Sequence, residues 1–165
     1  MHLTDSPTRD TSKPLERHRE TGSTTSRRIL VIDDEPGIRE TLVQLLGVLG
    51  FEVVEADGGR SALARLAEGA VDLVLTDLGM PDMNGWEVAR AVKARAPNVP
   101  VVLVTGWGED GPAPGADHSL VMAVLSKPFR VQDIVKVVGH ALGASIEPAS
   151  QGAVRQPALT PAATG

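Results

Sequence analysis

Cysteine and tyrosine are absent from this sequence of 165 residues, and tryptophan and phenylalanine occur only twice each. The absence of cysteine excludes disulfides, thiolate metal sites and cysteine nucleophiles. The four histidines are scattered along the chain without the spacing of metal ligands. Any metal ion bound by this chain would therefore be held by oxygen atoms.

The chain also lacks an excess of positive charge and a long apolar run. Its formal net charge is −5 and its pI is near 5.3, so it offers no broad basic surface to a nucleic acid or an anionic membrane. No apolar run reaches the ~18 residues that a membrane span requires, and the polar N-terminus lacks the apolar core of a signal peptide. We expect a cytoplasmic protein with neither nucleic acid nor membrane as a partner.

Composition divides the chain into three parts. Residues 1–26 are polar and predict a disordered N-terminal extension, because they bury too little apolar surface to offset the entropy of ordering. Residues 144–165 are rich in Ala, Pro and Gly without periodicity and predict a flexible C-terminal tail. The intervening residues 27–143 have the size of one domain, and no output domain is expected after it.

Apolar runs and helical patterns alternate along residues 27–143. Short apolar runs predict strands, and apolar residues at helical spacing predict the helices between them. The predicted strands are 29–32, 51–55, 71–76, 99–105 and 120–125. The predicted helices begin near Ile38, Ser61, Trp86 and Val131, and they end before Gly50, Gly69, Pro97 and Gly143. This alternation predicts an α/β fold whose parallel sheet is covered on both faces.

One segment breaks the alternation. Residues 106–115 contain four Gly and two Pro at the place where the repeat requires a fourth helix. Both residue types disfavour helix, Gly through backbone entropy and Pro through its missing N–H group. We therefore expect the fourth helix to be irregular.

Polar side chains follow four of the predicted strands at their carboxyl ends. Asp33 and Asp34 follow the first strand, Asp77 the third and Lys127 the fifth, and Thr105 ends the fourth. Carboxyl ends of parallel strands share one edge, so these side chains are expected to form one site. Clustered carboxylates repel one another unless a cation lies among them, and Mg²⁺ suits such oxygen ligands. Asp77 would then be the nucleophile towards a phosphoryl group whose oxygens contact Thr105 and Lys127.

Each of these residues also has an ordinary structural explanation. Asp77, Asp33 and Asp34 could serve only in turns. Thr105 could be a β-branched strand end, and Lys127 could be a solvated surface charge. One residue at a time, the structural and functional interpretations are about equal, but the joint occurrence of all five favours a functional site.

Four motifs resemble the receiver domain of two-component response regulators. They are Ile-Asp33-Asp34-Glu, Asp77-Leu-Gly-Met-Pro-Asp-Met-Asn-Gly85, Val-Thr105-Gly and Ser-Lys127-Pro-Phe, in that order. The resemblance covers residues 28–142, and the combination is specific whereas any one motif would be weak. It implies a flavodoxin-like (βα)5 fold with a doubly wound parallel sheet of five strands.

The resemblance also implies the functions of the acidic residues. Asp77 is implied as the phosphoacceptor, which receives its phosphoryl group from a sensor histidine kinase. Asp33, Asp34, Asp77 and the backbone carbonyl of Gly79 are implied as ligands of Mg²⁺. Because like charges repel, we also expect replacement of Asp33 or Asp34 by alanine to raise stability while weakening Mg²⁺ binding.

Thr105 is implied as the switch hydroxyl, and Lys127 as the lysine of the family's site, followed by a cis proline. The protein would then be a phosphorylation-dependent switch with no enzymatic activity beyond its own phosphoryl uptake and autodephosphorylation. We expect a single-domain response regulator, without a DNA-binding output domain, that regulates an unidentified downstream protein.

Two departures from the family pattern concern the output: the residue at position 124, and the Gly- and Pro-rich fourth helix region, which in the family forms part of the output face. Val124 occupies the position three residues before Lys127 that usually holds Tyr or Phe, so the usual aromatic readout has no ring here. We expect a change of order within residues 106–119, which include Trp107, to replace it, because switches depend on elements of low stability.

Two other functions stay open. One is an aspartyl-phosphate phosphohydrolase, which usually has a second Asp where this chain has Gly79. The other is a degenerate receiver that serves only as a protein-interaction module. Gly79 argues against the first, and the intact set of Asp33, Asp34, Asp77, Thr105 and Lys127 argues against the second.

Overall fold

The computed structural model describes residues 26–106, 116–144 and 146 of the chain. The predicted N-terminal extension lies outside these residues except for Ser26, and so does most of the predicted C-terminal tail. Trp107 and the rest of 107–115, where the irregular fourth helix was expected, also lie outside them.

Five strands form one sheet in the order β2-β1-β3-β4-β5, and every neighbouring pair is parallel. The strands are β1 (Arg28–Ile32), β2 (Glu52–Ala56), β3 (Leu73–Asp77), β4 (Val101–Thr105) and β5 (Ala123–Ser126). The α-helices of the described residues are α1 (Pro36–Val48), α2 (Gly59–Glu68), α3 (Gly85–Arg95) and α4 (Val131–Leu142). This architecture confirms the predicted doubly wound, flavodoxin-like α/β fold.

The central strands are apolar because helices cover both of their faces. Every residue of β3 and β4 is buried, whereas burial alternates along the edge strand β5. Leu30 and Ile32 of β1 belong to an apolar cluster with residues of α2 and α3, while Ile29 and Val31 belong to a second cluster with residues of α1 and α4. Alternate residues of a strand point to opposite faces, so unbroken apolar runs are needed here.

Local signals in the sequence set the ends of the helices. Asn84 caps α3, and its side chain accepts hydrogen bonds from the N–H groups of Trp86 and Glu87, both at 3.0 Å. The Glu87 carboxylate accepts from the Asn84 N–H at 2.9 Å, which completes a capping box. Gly50 and Gly143, which follow α1 and α4, have left-handed φ angles of 88° and 60°, as predicted. None of the helices within the described residues could cross a membrane, and the cytoplasmic location stays a prediction.

Strands β2 to β5 all begin later than the sequence predicted, and the delays of β4 and β5 have a physical cause in the structure. The predicted strand 120–125 begins only at Ala123, because a 3-10 helix occupies His118–Leu120. The Asp117 carboxylate stabilises that turn by accepting hydrogen bonds from the N–H and hydroxyl of Ser119, at 3.0 and 2.5 Å. The predicted strand 99–105 begins at Val101, because the preceding proline has no N–H to donate to a neighbouring strand.

The chain stays in contact with the domain beyond the predicted boundary at residue 143. The N–H of Ala144 donates to the carbonyl oxygen of Gly139 at 3.0 Å. Ile146 packs against the apolar cluster on the side of α1 and α4. The packed part of the chain therefore includes the first residues of the predicted tail.

Gly85→Ala tests the close packing at the start of α3. A Cβ at residue 85 would lie 2.5 Å from the carbonyl oxygen of Asp77 and 2.8 Å from the Leu103 side chain. Because backbone must shift to relieve this overlap, we expect the free energy of unfolding in urea to fall by about 1–3 kcal/mol. Gly37→Ala is the control, since a Cβ there meets nothing within 4 Å. Equal stability of the two variants would contradict this view of the packing.

Candidate functional site

Four of the predicted site residues converge at the carboxyl edge of the sheet. Asp33 directly follows β1, Asp77 and Thr105 are the last residues of β3 and β4, and Lys127 follows β5. These four strands are consecutive neighbours in the sheet, which brings their ends together. Asp33, Asp77 and Thr105 are only 1%, 7% and 6% exposed. Burial of such polar groups costs free energy unless they are paired.

The ammonium group of Lys127 lies between two of these carboxylates. Its Nζ donates hydrogen bonds to Asp33 Oδ2 and to Asp77 Oδ1, both at 2.8 Å. Burial lowers the pKa of Lys127, but the hydrogen bonds and negative charges of Asp33 and Asp77 outweigh this and raise it above its ordinary value. The lysine is therefore charged at neutral pH. Its backbone N–H donates to the carbonyl oxygen of Thr105 at 2.6 Å, which ties the loop after β5 to β4. The bond from Lys127 to Pro128 is cis, as the sequence predicted.

Both carboxylate oxygens of Asp77 have a hydrogen-bond donor. Oδ1 is bound by Lys127, and Oδ2 accepts from the backbone N–H of Gly79 at 2.7 Å. Gly79 belongs to residues 78–84, which connect β3 to α3 and which we call the acceptor loop. The orientation of the Asp77 carboxylate is therefore fixed by donors from two separate segments of the chain.

Asp33 is held by hydrogen bonds to both its side chain and its backbone. Its Oδ1 accepts from the Glu35 N–H at 2.9 Å, and its carbonyl oxygen accepts from the guanidinium of Arg39 in α1 at 2.7 Å. Arg39 Nε also lies 3.4 Å from the Glu55 carboxylate on β2. The sequence did not identify Arg39 as a residue of the site. A basic residue in the first turn of a helix that follows an acidic turn is a signal that could have found it. Asp34, in contrast, is exposed to solvent.

These contacts change the expectation for one member of the acidic pair. Repulsion alone predicted that removing either Asp33 or Asp34 would raise stability. Asp33 instead binds the half-buried Lys127 ammonium, so its removal takes away an attraction as well. The expectation of a gain in stability stays only for Asp34.

The chemistry of the donor set fits a hard divalent cation. No group of three or more His, Cys, Asp or Glu side chains within 26–106, 116–144 and 146 is arranged to hold a metal ion. Mg²⁺ does not need such a cage, because proteins usually bind it through one or two carboxylates and leave several waters in place. Asp33 and Asp77 are two buried negative charges that share one half-buried positive charge, a net of −1. This residual charge and the oxygen-only donors are what Mg²⁺ favours.

Val124 lies on β5 and Trp86 on α3. The position that usually holds an aromatic ring is occupied by Val124, which is 48% exposed on the edge strand. Trp86, the second residue of α3, is buried and meets His118 edge-on, with 5.2 Å between ring centroids and 72° between the planes. The first turn of α3 therefore contacts the 3-10 helix that precedes β5.

The fold and this edge of the sheet define a class of protein, the receiver domains of phosphorelay signalling. The family model of the response regulator receiver domain matches residues 29–139. The chain therefore belongs to the response regulator receiver family of two-component signalling, and the predicted resemblance is confirmed.

Curated relatives of two lengths match the chain. The response regulator receiver protein CpdR of Brucella abortus is 36% identical over 116 residues, which cover 70% of this chain and 97% of CpdR. The DNA-binding transcriptional regulator NtrC of Azospirillum brasilense is 36% identical over 123 residues, which cover 74% of this chain but only 25% of NtrC. Several other relatives are likewise matched over about a quarter of their length.

Solved structures of receiver domains superpose on the chain. The response regulator TrrA from Thermotoga maritima, in complex with Mg²⁺-BeF, gives a TM-score of 0.64 at 31% identity and covers 70% of this chain and 99% of TrrA. The receiver domain of the hybrid histidine kinase CckA gives a TM-score of 0.59 at 28% identity, covering 70% of this chain and 98% of that one. Binding of Mg²⁺ therefore occurs within the family.

Lys127→Gln tests the charge balance of the site. Without the ammonium, two buried carboxylates face each other with no positive charge between them. We therefore expect a loss of about 3–5 kcal/mol in the free energy of unfolding at pH 7 without Mg²⁺. The pKa of Lys127 is raised in the folded state, so its stabilisation is complete below the ordinary value of 10.5 and is lost as pH rises through the higher folded value. Wild type and variant should therefore converge in stability above that pH.

The control for this prediction is Lys136→Gln, which changes an exposed lysine of α4. It should alter stability by no more than about 0.5 kcal/mol at any pH. A difference between wild type and Lys127→Gln that does not change with pH would show that lost packing, and not lost charge, is responsible.

Proposed function

We propose that this receiver domain accepts one phosphoryl group on Asp77 from a sensor histidine kinase, in a Mg²⁺-dependent reaction, and then regulates a partner protein. The observation that carries the proposal is the Asp77 carboxylate, which is nearly buried and oriented by Lys127 and Gly79 at 2.8 and 2.7 Å. Support also comes from the family, whose receiver domains receive phosphate from histidine kinases.

The reaction is a transfer between two nucleophiles. A carboxylate oxygen of Asp77 forms a bond to phosphorus while the nitrogen–phosphorus bond of the donor phosphohistidine breaks, and that electron pair stays on the imidazole. The Lys127 ammonium can exchange its contact with Asp77 Oδ1 for a phosphoryl oxygen while it keeps its contact with Asp33. The hydroxyl of Thr105 donates to another phosphoryl oxygen. Lys127 thereby neutralises negative charge of the phosphoryl group, and Thr105 binds that group through a hydrogen bond.

Mg²⁺ would be held by the carboxylates of Asp33 and Asp77 and by the backbone carbonyl of Gly79, and Asp34 would bind the ion or one of its waters. When bound, it supplies positive charge to the phosphoryl oxygens, which one lysine alone cannot balance. The residual negative charge of the buried cluster supports this assignment, as does the structural similarity to TrrA in its Mg²⁺-BeF complex.

We also propose that the domain has no enzymatic activity beyond phosphoryl uptake and autodephosphorylation, and that it acts on a protein. A phosphohydrolase would usually carry a second Asp where Gly79 stands. A module that only binds proteins would have no use for the buried contacts of Asp33, Asp77 and Lys127.

Asp77→Asn tests the acceptor. The substitution keeps the shape of the side chain but removes the nucleophilic carboxylate, so incubation with a small phosphodonor and Mg²⁺ should add no phosphoryl group. Wild type should gain the mass of one phosphoryl group, in a form labile to hydroxylamine, as measured by intact mass spectrometry. Asp72→Asn, which changes a partly exposed carboxylate before β3, is the control and should behave as wild type. Uptake by Asp77→Asn at the wild-type rate would reject the assignment.

The acidic pair is tested by Mg²⁺ titration of Asp33→Ala and Asp34→Ala, followed by tryptophan emission. Both variants should bind Mg²⁺ more weakly, since each loses an oxygen ligand of the ion or of its waters. Only Asp33→Ala should lose stability without Mg²⁺, by about 1–3 kcal/mol, because Asp33, and not Asp34, pairs with Lys127. Glu40→Ala, an exposed carboxylate of α1, is the control. Unchanged Mg²⁺ affinity in both Asp variants would remove the pair from the metal site.

A further inference from the structure

The acceptor loop is bound in its middle to a helix that is distant in sequence. Asp82 Oδ1 accepts a hydrogen bond from the N–H of Gly59 at 3.2 Å, and Asp82 Oδ2 accepts from the N–H of Arg60 at 2.9 Å. Gly59 and Arg60 are the first two residues of α2, and the residue before them, Gly58, has no side chain to cap the helix. The carboxylate that satisfies these N–H groups therefore comes from the acceptor loop.

The charge of Asp82 suits this contact. The hydrogen bond from the Arg60 N–H holds the pKa of the Asp82 carboxyl below its ordinary value, against a smaller opposing effect of burial. A carboxylate at the first turn of a helix also faces the positive end of the helix dipole. The contact therefore persists throughout the neutral pH range.

The start of α2 is also shaped to receive the loop. A Cβ at Gly59 would lie 2.5 Å from Met83 Cβ, and a Cβ at Gly58 would lie 2.9 Å from both carboxylate oxygens of Asp82. Met83 itself packs against the apolar cluster between the sheet and helices α2 and α3. Two successive glycines thus allow the loop to approach the helix closely, and Met83 holds it there.

The same short loop is fixed at both of its ends. At its start, the Gly79 N–H donates to Asp77, and at its close, the Gly85 N–H donates to the carbonyl oxygen of Leu78 at 3.0 Å. Between these points, Asp82 supplies the contact that joins the loop to α2. Gly79 is only three residues from Asp82, so a loop released from α2 would let the Gly79 peptide move relative to the carboxylate of Asp77.

We propose that Asp82 is a positioning residue for phosphoryl uptake: by holding the acceptor loop against α2, it keeps the Gly79 peptide oriented towards Asp77 and the Mg²⁺ ion. This inference rests on the proposed function of Asp77. Asp82 itself touches neither the phosphoryl group nor Asp77, and it acts through the loop. Partners that orient the groups of a metal site commonly change metal affinity or activity by about 10–100-fold when they are removed.

Asp82→Ala and Asp82→Asn test the inference, with Asp72→Ala as the matched control. The Asp72 carboxylate also accepts a backbone hydrogen bond, from Arg28 N–H at 2.7 Å. It precedes β3 and therefore lies at the amino ends of the strands, away from the site. We expect Asp82→Ala to lower Mg²⁺ affinity and the rate of phosphoryl uptake by about 10-fold. Asp82→Asn should be intermediate, because an amide offers one acceptor oxygen where the carboxylate uses two. Asp72→Ala should keep wild-type values of both.

Gly59→Ala approaches the same contact from the helix. Alanine favours helix over glycine, so α2 itself should not suffer, but the new Cβ would push Met83 and the loop away. We expect the same direction of change as in Asp82→Ala, and Gly37→Ala in the first turn of α1 should have no effect. Amide exchange at Gly79 and Met80 should be faster in both loop-releasing variants than in wild type, whether or not a phosphodonor is present.

The outcomes separate the two proposals. If Asp82→Ala lowers the melting temperature but keeps wild-type Mg²⁺ affinity, uptake rate and exchange at Gly79, then Asp82 is only a helix cap and the inference is overturned. If wild type takes up no phosphoryl group at all, the proposed function fails. In that case the exchange and Mg²⁺ measurements still decide whether Asp82 positions the loop.

Discussion

The contact on which the site depends is the Lys127 ammonium between the carboxylates of Asp33 and Asp77. These three groups come from the ends of β5, β1 and β3, and each would be costly to bury alone. Together they leave a single uncompensated negative charge in a nearly enclosed space. The pairing therefore does two things: it makes burial of the acceptor tolerable, and it leaves a preference for one more cation.

The loops around this cluster are held by contacts with the first turns of three helices. Arg39 of α1 binds the carbonyl oxygen of Asp33, and Asp82 of the acceptor loop binds the first turn of α2. Asn84 ends the same loop by capping α3. Reactive groups at strand ends need such support, because the apolar strands fix where the backbone ends but not where the following peptide groups point.

The sequence predicted well what depends on local pattern. Unbroken apolar runs identified β1, β3 and β4 because both faces of these strands are covered, and strand ends located Asp33, Asp77 and Thr105. The sequence did not predict the structure where a distant or turn-forming side chain determines the path of the backbone. Asp117 forms the turn that delays β5, and Asp82 meets α2 more than 20 residues away in sequence, so no periodicity reveals either contact.

The absence of an aromatic ring at Val124 changes how a signal can leave the site. Val124 is half exposed on an edge strand and has too little bulk to move between an inner and an outer position with a large change of surface. The acceptor loop, in contrast, ends at Asn84, which caps the first turn of α3, and Trp86 in that turn meets His118 just before β5. A displacement of the loop that shifts this turn must therefore alter the contact between Trp86 and His118. Trp86 thus lies on the side of α3, and we expect a change at Asp77 to reach it through the backbone and not through a rotating ring on β5.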